Sequence, residues 1–331
     1  MELFLQTAVR ILPVFLTIFV GLALKRLGLL PDTVKEGMVN LVFYVGTPAL
    51  IVKNLLEADL GGAMDARFLV YVAAAVLALI GVSWLCALPF GEKADRGAVI
   101  QLGYRANIAI IGLPIATAIM DAEGVSLMAL AMTVGVLIYN VTIVLILSYY
   151  GEKGKPNLKA TLIKVAKNPL LIAIVIGVLV NFCTIPIKES AFMAAGSIGA
   201  QSLSGLGKIL LSILGTLGDI ASSIGLLVIG AGLTFGGKRE EWPAVLVGVG
   251  LKTVISPLLL LVPAVLFGFR GDALLCLAVI GAAPTAVNSY VMAKKMGVSD
   301  SITARGISLS CIASLFAVFV SVWLLRYLGL A

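Results

Sequence analysis

Uncharged apolar stretches the length of a bilayer crossing recur along this chain, and they constrain its fold more than any other feature. Residues 68–90 read FLVYVAAAVLALIGVSWLCALPF and residues 126–150 read SLMALAMTVGVLIYNVTIVLILSYY, each without a single charge. A helix needs about 20 such residues to cross the hydrocarbon core. Over the 331 residues, 60% are hydrophobic and only 12% charged. A soluble domain keeps roughly a quarter of its residues charged, so this chain has too little polar surface to coat a water-soluble globule.

Stretches of this kind lie at 6–24, 37–56, 68–90, 97–119, 126–150, 168–183, 208–235, 243–267, 273–293 and 303–328. Turn or charge clusters such as Gly91-Glu92-Lys93 and Gly236-Gly237-Lys238-Arg239 separate them. In lipid only helices and closed barrels satisfy their backbone groups. These blocks are too long and too unalternating for barrel strands, so the expected fold is all-α and integral to the membrane, with ten transmembrane helices. The first stretch, with Lys25 and Arg26 after it and no basic segment or cleavage site of a signal peptide, is expected to be a permanent span.

The net charge of +7 sits mostly in short loops. Fifteen Lys and Arg flank the loops after odd-numbered spans and five flank the even-numbered ones. By the positive-inside rule the odd loops face the cytoplasm and both termini the periplasm of a bacterial-type inner membrane. No basic run with interleaved aromatics supports nucleic-acid binding.

The polar loop at 151–166 divides the chain into residues 1–155 and 156–331, and the halves resemble each other weakly. Pro13 and Gly21 match Pro169 and Gly177 at an offset of 156, and Gly112-Leu113-Pro114 matches Ala282-Ala283-Pro284 at an offset of 170. The offset changes across a Gly/Ser-rich stretch at 184–207. Five helices per repeat is an odd number, so the two copies have opposite orientations, a recurring carrier design. Chance alignment of prolines and glycines in helices rich in both is the competing explanation.

Pro114 and Pro284 each remove a backbone hydrogen bond inside an apolar span. Small and polar residues surround them: Asn107, Gly112 and Thr117 around one, Gly281, Thr285, Asn288 and Ser289 around the other. The plain reading is two kinks or hinges. The sharper one is two broken helices whose half-helix N-termini meet at mid-depth and suit an anion. Arg105 in span four costs at least ~2.5–3.5 kcal/mol at the bilayer centre, so it needs a partner or a function there, unless it snorkels to the cytoplasmic end. Asp219 in span seven and Lys252 in span eight either pair across adjacent helices or leave Asp219 to bind a coupling proton or Na⁺. Asn140 in span five is either a helix–helix hydrogen bond or a ligand contact.

Enzyme chemistry finds little to work with. There is no histidine, which excludes His-based metal sites and the commonest general base. Cys86, Cys183, Cys276 and Cys311 form no CxxC pair and read as packing residues. No phosphate-binding G-x-x-x-x-G-K-[ST] loop occurs, so ATP does not drive the chain directly. Gly215-Thr216-Leu217-Gly218-Asp219 has the wrong spacing for an intramembrane aspartyl protease and no second carboxylate to share its proton.

These residues carry a resemblance. Leu41-Val42-Phe43-Tyr44-Val45-Gly46-Thr47-Pro48, Arg105-Ala106-Asn107 leading to Gly112-Leu113-Pro114, Lys167-Asn168-Pro169, Leu217-Gly218-Asp219 leading to Gly230-Ala231-Gly232-Leu233, Lys252 with Pro257, and Ala283-Pro284-Thr285 before Tyr290-Val291-Met292-Ala293 follow one another nearly end to end. In this order they resemble the auxin efflux carrier family, which includes plant auxin exporters and bacterial malonate-type permeases. The resemblance implies two inverted five-helix repeats, spans four and nine crossing at their prolines, a scaffold and a transport domain, and often a homodimer. It implies substrate contacts at Asn107, Pro114 and Pro284, and Arg105 as a feature of bacterial members that hints at an anion. Residues 187–207 depart from the family as an insertion. The bile-acid sodium symporters share a similar crossover fold, which keeps Na⁺ coupling open beside H⁺.

The expected function is secondary transport of small organic anions, mono- or dicarboxylates, by alternating access, with Arg105, Asn107, Gly112, Pro114, Asn140, Pro284, Thr285, Asn288 and Ser289 at the substrate and Asp219 and Lys252 in coupling or support. The alternatives are a sodium-coupled carrier of the bile-acid type and a non-transporting membrane receptor. No soluble output domain favours the receptor.

Overall fold

The computed structural model describes residues 2–57, 66–151, 163, 167, 169, 172–173, 175–180, 198–236 and 238–331. Among these residues there is no β-strand, only one isolated bridge between Ala106 and Thr285. Six helices, Phe4–Arg26, Ala66–Ala87, Glu123–Tyr150, Gly207–Ala231, Arg239–Leu266 and Asp300–Tyr327, are long and apolar enough to cross a membrane. The molecule is a helical, multi-pass membrane protein.

Besides span seven, four of the expected spans are single helices: α1 (Glu2–Arg26), α4 (Ala66–Ala87), α7 (Ala122–Tyr150) and the last, α13 (Asp300–Tyr327). Span two is α2 (Asp32–Leu41) and α3 (Thr47–Glu57), and span eight is α9 (Trp242–Gly250) and α10 (Ser256–Leu266). Span four is α5 (Lys93–Tyr104) and α6 (Leu113–Ile119), and span nine is α11 (Asp272–Ala282) and α12 (Asn288–Met296). Span seven is α8 (Ile198–Ala231), which begins before the expected residue 208. The expected insertion therefore falls partly in α8, while residues 187–197 lie outside the described residues, as do most of the mid-chain loop and Cys183. Of the sixth span, residues 175–180 are helical.

Three π-helical stretches, Val42–Gly46, Ile108–Gly112 and Leu251–Ile255, interrupt spans two, four and eight. Each is followed by an X-Pro pair: Thr47-Pro48, Leu113-Pro114 and Ser256-Pro257. A proline offers no N–H and its ring presses on the carbonyl four residues back. A widened turn absorbs both defects without breaking the helix, and such turns gather at functional sites.

Glycines bring α1 against α8. A Cβ on Gly230 would lie 1.8 Å from the Ile18 carbonyl oxygen, and one on Gly21 would lie 2.0 Å from that of Leu227. Lipid tails are as apolar as leucine, so close backbone approach of this kind, rather than hydrophobic burial, joins membrane helices. The first halves of spans four and nine lie deepest. Residues 97–104 of α5 and 274–282 of α11 are all buried; the amide of Gln101 among them donates from Nε2 to Thr303 Oγ1 at 2.9 Å. Both chains break at the inner ends of these two segments.

Candidate functional site

The breaks meet. After Tyr104 the backbone turns extended at Arg105, and after Ala282 it does so at Ala283. The Asn107 N–H donates to the Pro284 carbonyl at 2.7 Å, and the Ala286 N–H donates to the Arg105 carbonyl at 3.1 Å. Two extended segments thus satisfy each other where no water is at hand. The remaining loose ends are tied by side chains. Thr285, fully buried, donates from Oγ1 to the Leu102 carbonyl at the end of α5 (2.9 Å), and its own N–H donates to Ser310 Oγ (3.1 Å).

The crossing is therefore at Ala106 and Thr285 rather than at both prolines. Pro284 stands in the extended segment of span nine. Pro114 does not stand at the span-four break: it follows the π-helical stretch, is half-buried, and does not line the cavity beside the crossing. Gly112 closes that stretch, where an added Cβ would press on Ile108 and Val279 at 3.3 Å, and it lies outside the cavity as well.

That cavity, of about 80 Å³, is bounded by Arg105, Asn107, Ile108, Ile110, Tyr139, Asn140, Ala286 and Asn288, with Phe43 and Thr47 from span two. It lies at the start of both second half-helices. Asn107 is the N-cap of the π-helical stretch, its Oδ1 accepting from the Ile110 N–H at 3.4 Å, and α12 begins at Asn288. The first N–H groups of a helix have no partner within it and carry partial positive charge.

The side chains add donors. Arg105 is 6% exposed and pairs with no carboxylate among the described residues. Its Nη1 donates to Ser289 Oγ at 3.2 Å and contacts Met292 Sδ at 3.5 Å, both neutral acceptors. Asn107 Nδ2 is buried without a hydrogen-bond partner, and the Tyr139 hydroxyl makes no well-formed hydrogen bond. The Tyr139 ring is held by Tyr104 at 5.7 Å between centroids, and the Tyr104 hydroxyl in turn accepts from Thr142 Oγ1 at 3.2 Å. The cavity thus gathers a guanidinium, an amide, a phenol and two helix N-termini, a donor-rich, electropositive spot with no acid in it.

Tyr139 is the residue that sequence reasoning passed over in favour of its neighbour Asn140. Val136, Tyr139 and Asn140 all line the cavity, and their i, i+3, i+4 spacing marks one face of α7. Of the two alternatives for Asp219 and Lys252, a pair across adjacent helices does not form. Asp219 is on the exposed face of α8, whereas Lys252 is fully buried and donates to the Ile280 carbonyl. A larger furrow of about 610 Å³ between α10 and α13, lined by leucines, valines and Phe316, is far more apolar and holds none of these groups.

A membrane-embedded helical bundle with two broken helices crossing over a polar pocket is the build of a membrane transport protein, and sequence comparison agrees. A family model described as "Membrane transport protein" matches residues 7–324. The chain belongs to this family, that of the auxin efflux carriers. It is similar to an uncharacterized transporter of Methanothermobacter thermautotrophicus, 25% identical over 318 residues that make up 95% of this chain and 96% of the relative. It is also similar to a probable auxin efflux carrier component 5b of Oryza sativa subsp. japonica, 33% identical over 162 residues, 48% of this chain and 40% of the rice protein.

Proposed function

We propose that this protein is a secondary carrier of small organic anions, mono- or dicarboxylates, which bind where spans four and nine cross. One observation carries the reading: the buried, acid-free Arg105 shares its cavity with Asn107 Nδ2 and the Tyr139 hydroxyl, two donors without good partners. Buried donors in a folded protein are nearly always satisfied, and an intramembrane charge marks a functional site by default. A carboxylate supplies the missing acceptors and the missing charge together. The small volume favours a ligand of few heavy atoms, well below the size of ordinary drug-sized pockets. Asn140 and Asn288, also on the wall, add neutral contacts; Thr285 and Ser289 hold the crossing and the guanidinium in place.

Alternating access then moves the crossing relative to the scaffold formed by spans such as one and seven, in two inverted five-helix repeats. The basic asymmetry of the loops supports an inner-membrane topology with both termini periplasmic, and the family resemblance supports a homodimer. The test is a thermal-shift screen of purified protein against short mono- and dicarboxylates, malonate and acetate among them, since a bound ligand stabilises by mass action. Stabilisation by at least one carboxylate, lost in Arg105→Gln, is expected. No response to any carboxylate overturns the reading.

A further inference from the structure

In an unbroken helix the Ile280 carbonyl accepts from the N–H of residue 284. Residue 284 is a proline and has no N–H to give. The preceding carbonyl, Val279, keeps its helical donor, the Ala283 N–H at 2.8 Å. That of Ile280 accepts instead from Lys252 Nζ at 3.1 Å, with Ser256 Oγ 3.5 Å from the same nitrogen. Lys252 has no exposed surface. It projects from the π-helical turn of span eight, which packs against α5, α9, α10, α11 and α13.

Three charged side chains are buried among the described residues: Arg105, Lys252 and Arg305. Arg305 is paired with Glu241, donates to the Lys238 carbonyl and lies over Trp242. Arg105 lines the anion cavity. Lys252 does neither: it has no carboxylate partner among the described residues and does not line that cavity. Its partners are a carbonyl at a half-helix C-terminus and a hydroxyl, the oxygens with which broken helices hold a small cation. Such an end carries partial negative charge, and carriers with discontinuous helices place coupling cations on unwound carbonyls and half-helix ends.

We propose that the Lys252 ammonium is a resident cation, fixed to the chain, that occupies the position of a soluble coupling ion at the carbonyl end of the first half of span nine. The donor that satisfies the broken end belongs to the chain itself and is not taken up from solution. Movement of the crossing therefore requires no Na⁺, and the consequence for transport rests on the carrier reading above, whereas the cation position itself does not.

Thermal unfolding in detergent tests the position directly. Lys252→Ala leaves a space beside Ile280 and Ser256, and Na⁺ or methylammonium is expected to raise its Tm by roughly 3 °C or more over choline at equal ionic strength. The wild type, and Lys252→Met, whose apolar side chain fills the space, are expected to show no such preference. If Lys252→Ala cannot be purified, Lys252→Ser leaves similar room. An equal Na⁺ response in the wild type, or none in either small variant, overturns the proposal. Uptake of malonate into proteoliposomes separates the two readings. Wild-type uptake that requires Na⁺ sinks the resident cation and keeps the carrier. The expected cation pattern without wild-type uptake of any carboxylate keeps the resident cation and sinks the carrier.

Discussion

Asn107 donates its backbone N–H to the carbonyl of Pro284 at 2.7 Å, joining two residues that lie about half the chain apart. The bond does two jobs. It satisfies backbone groups that helix breakage would otherwise strand in a dry interior, and it fixes the start of both second half-helices on one cavity. The stability of the crossing and the affinity of the site therefore rest on different atoms, and substitutions can separate them.

Thr285→Val keeps the side-chain shape and removes the hydroxyl that reaches the Leu102 carbonyl. A buried acceptor left without its donor costs about 1–3 kcal/mol. A Tm lower by several degrees is expected in thermal unfolding; an unchanged Tm shows that the α5 end is satisfied in another way.

Gly230→Ala places a methyl where the Ile18 carbonyl oxygen would be 1.8 Å away. Forcing α1 and α8 apart costs about 1–3 kcal/mol. Gly37→Ala, in helix α2 with nothing within 4 Å of the added Cβ, gains about 0.5–1 kcal/mol instead from helix propensity. Opposite shifts in Tm for the two glycines are the expected outcome, and equal shifts contradict the close α1–α8 contact.

Tyr139→Phe removes a hydroxyl that makes no well-formed hydrogen bond within the protein. Stability is expected to hold or rise slightly, while anion affinity falls by about threefold to tenfold, the worth of one hydrogen bond. A fall in stability with unchanged affinity assigns the hydroxyl to packing.

Much of this was legible in the sequence. The apolar blocks located the helices because their length is set by bilayer thickness and needs no tertiary information. Pro284 located one break, since its missing N–H is what strands the Ile280 carbonyl. Pro114 misled on the other. A proline shows where a donor is lost, but a π-helical turn can absorb the loss, and here the chain opens earlier, at Arg105–Asn107. Asp219 and Lys252 were matched because both sit in spans. Helices apolar on every side give almost no rotational signal, so the sequence could not show Asp219 facing outward and Lys252 inward. Tyr139 was missed because a tyrosine in a membrane helix reads as packing until its hydroxyl is found near a guanidinium.

Topology is open to direct labelling. In a cysteine-free background, a membrane-impermeant maleimide applied from outside is expected to modify Ala331→Cys and spare Lys155→Cys, following the basic asymmetry of the loops. The reverse pattern inverts the topology without altering the chemistry of the cavity.

The central claim is that the anion sits at the crossing, on Asn107 and Arg105. Calorimetric titration of malonate, and of acetate as its one-carboxylate counterpart, into the wild type, Asn107→Ala and Arg105→Gln tests it most directly. The account predicts that Arg105→Gln unfolds close to the wild-type temperature and Asn107→Ala a few degrees lower for its lost cap, while both bind on the order of tenfold to a hundredfold more weakly, with Arg105→Gln losing more for malonate than for acetate. Wild-type affinity in both variants would place the anion elsewhere and leave the broken helices as hinges alone.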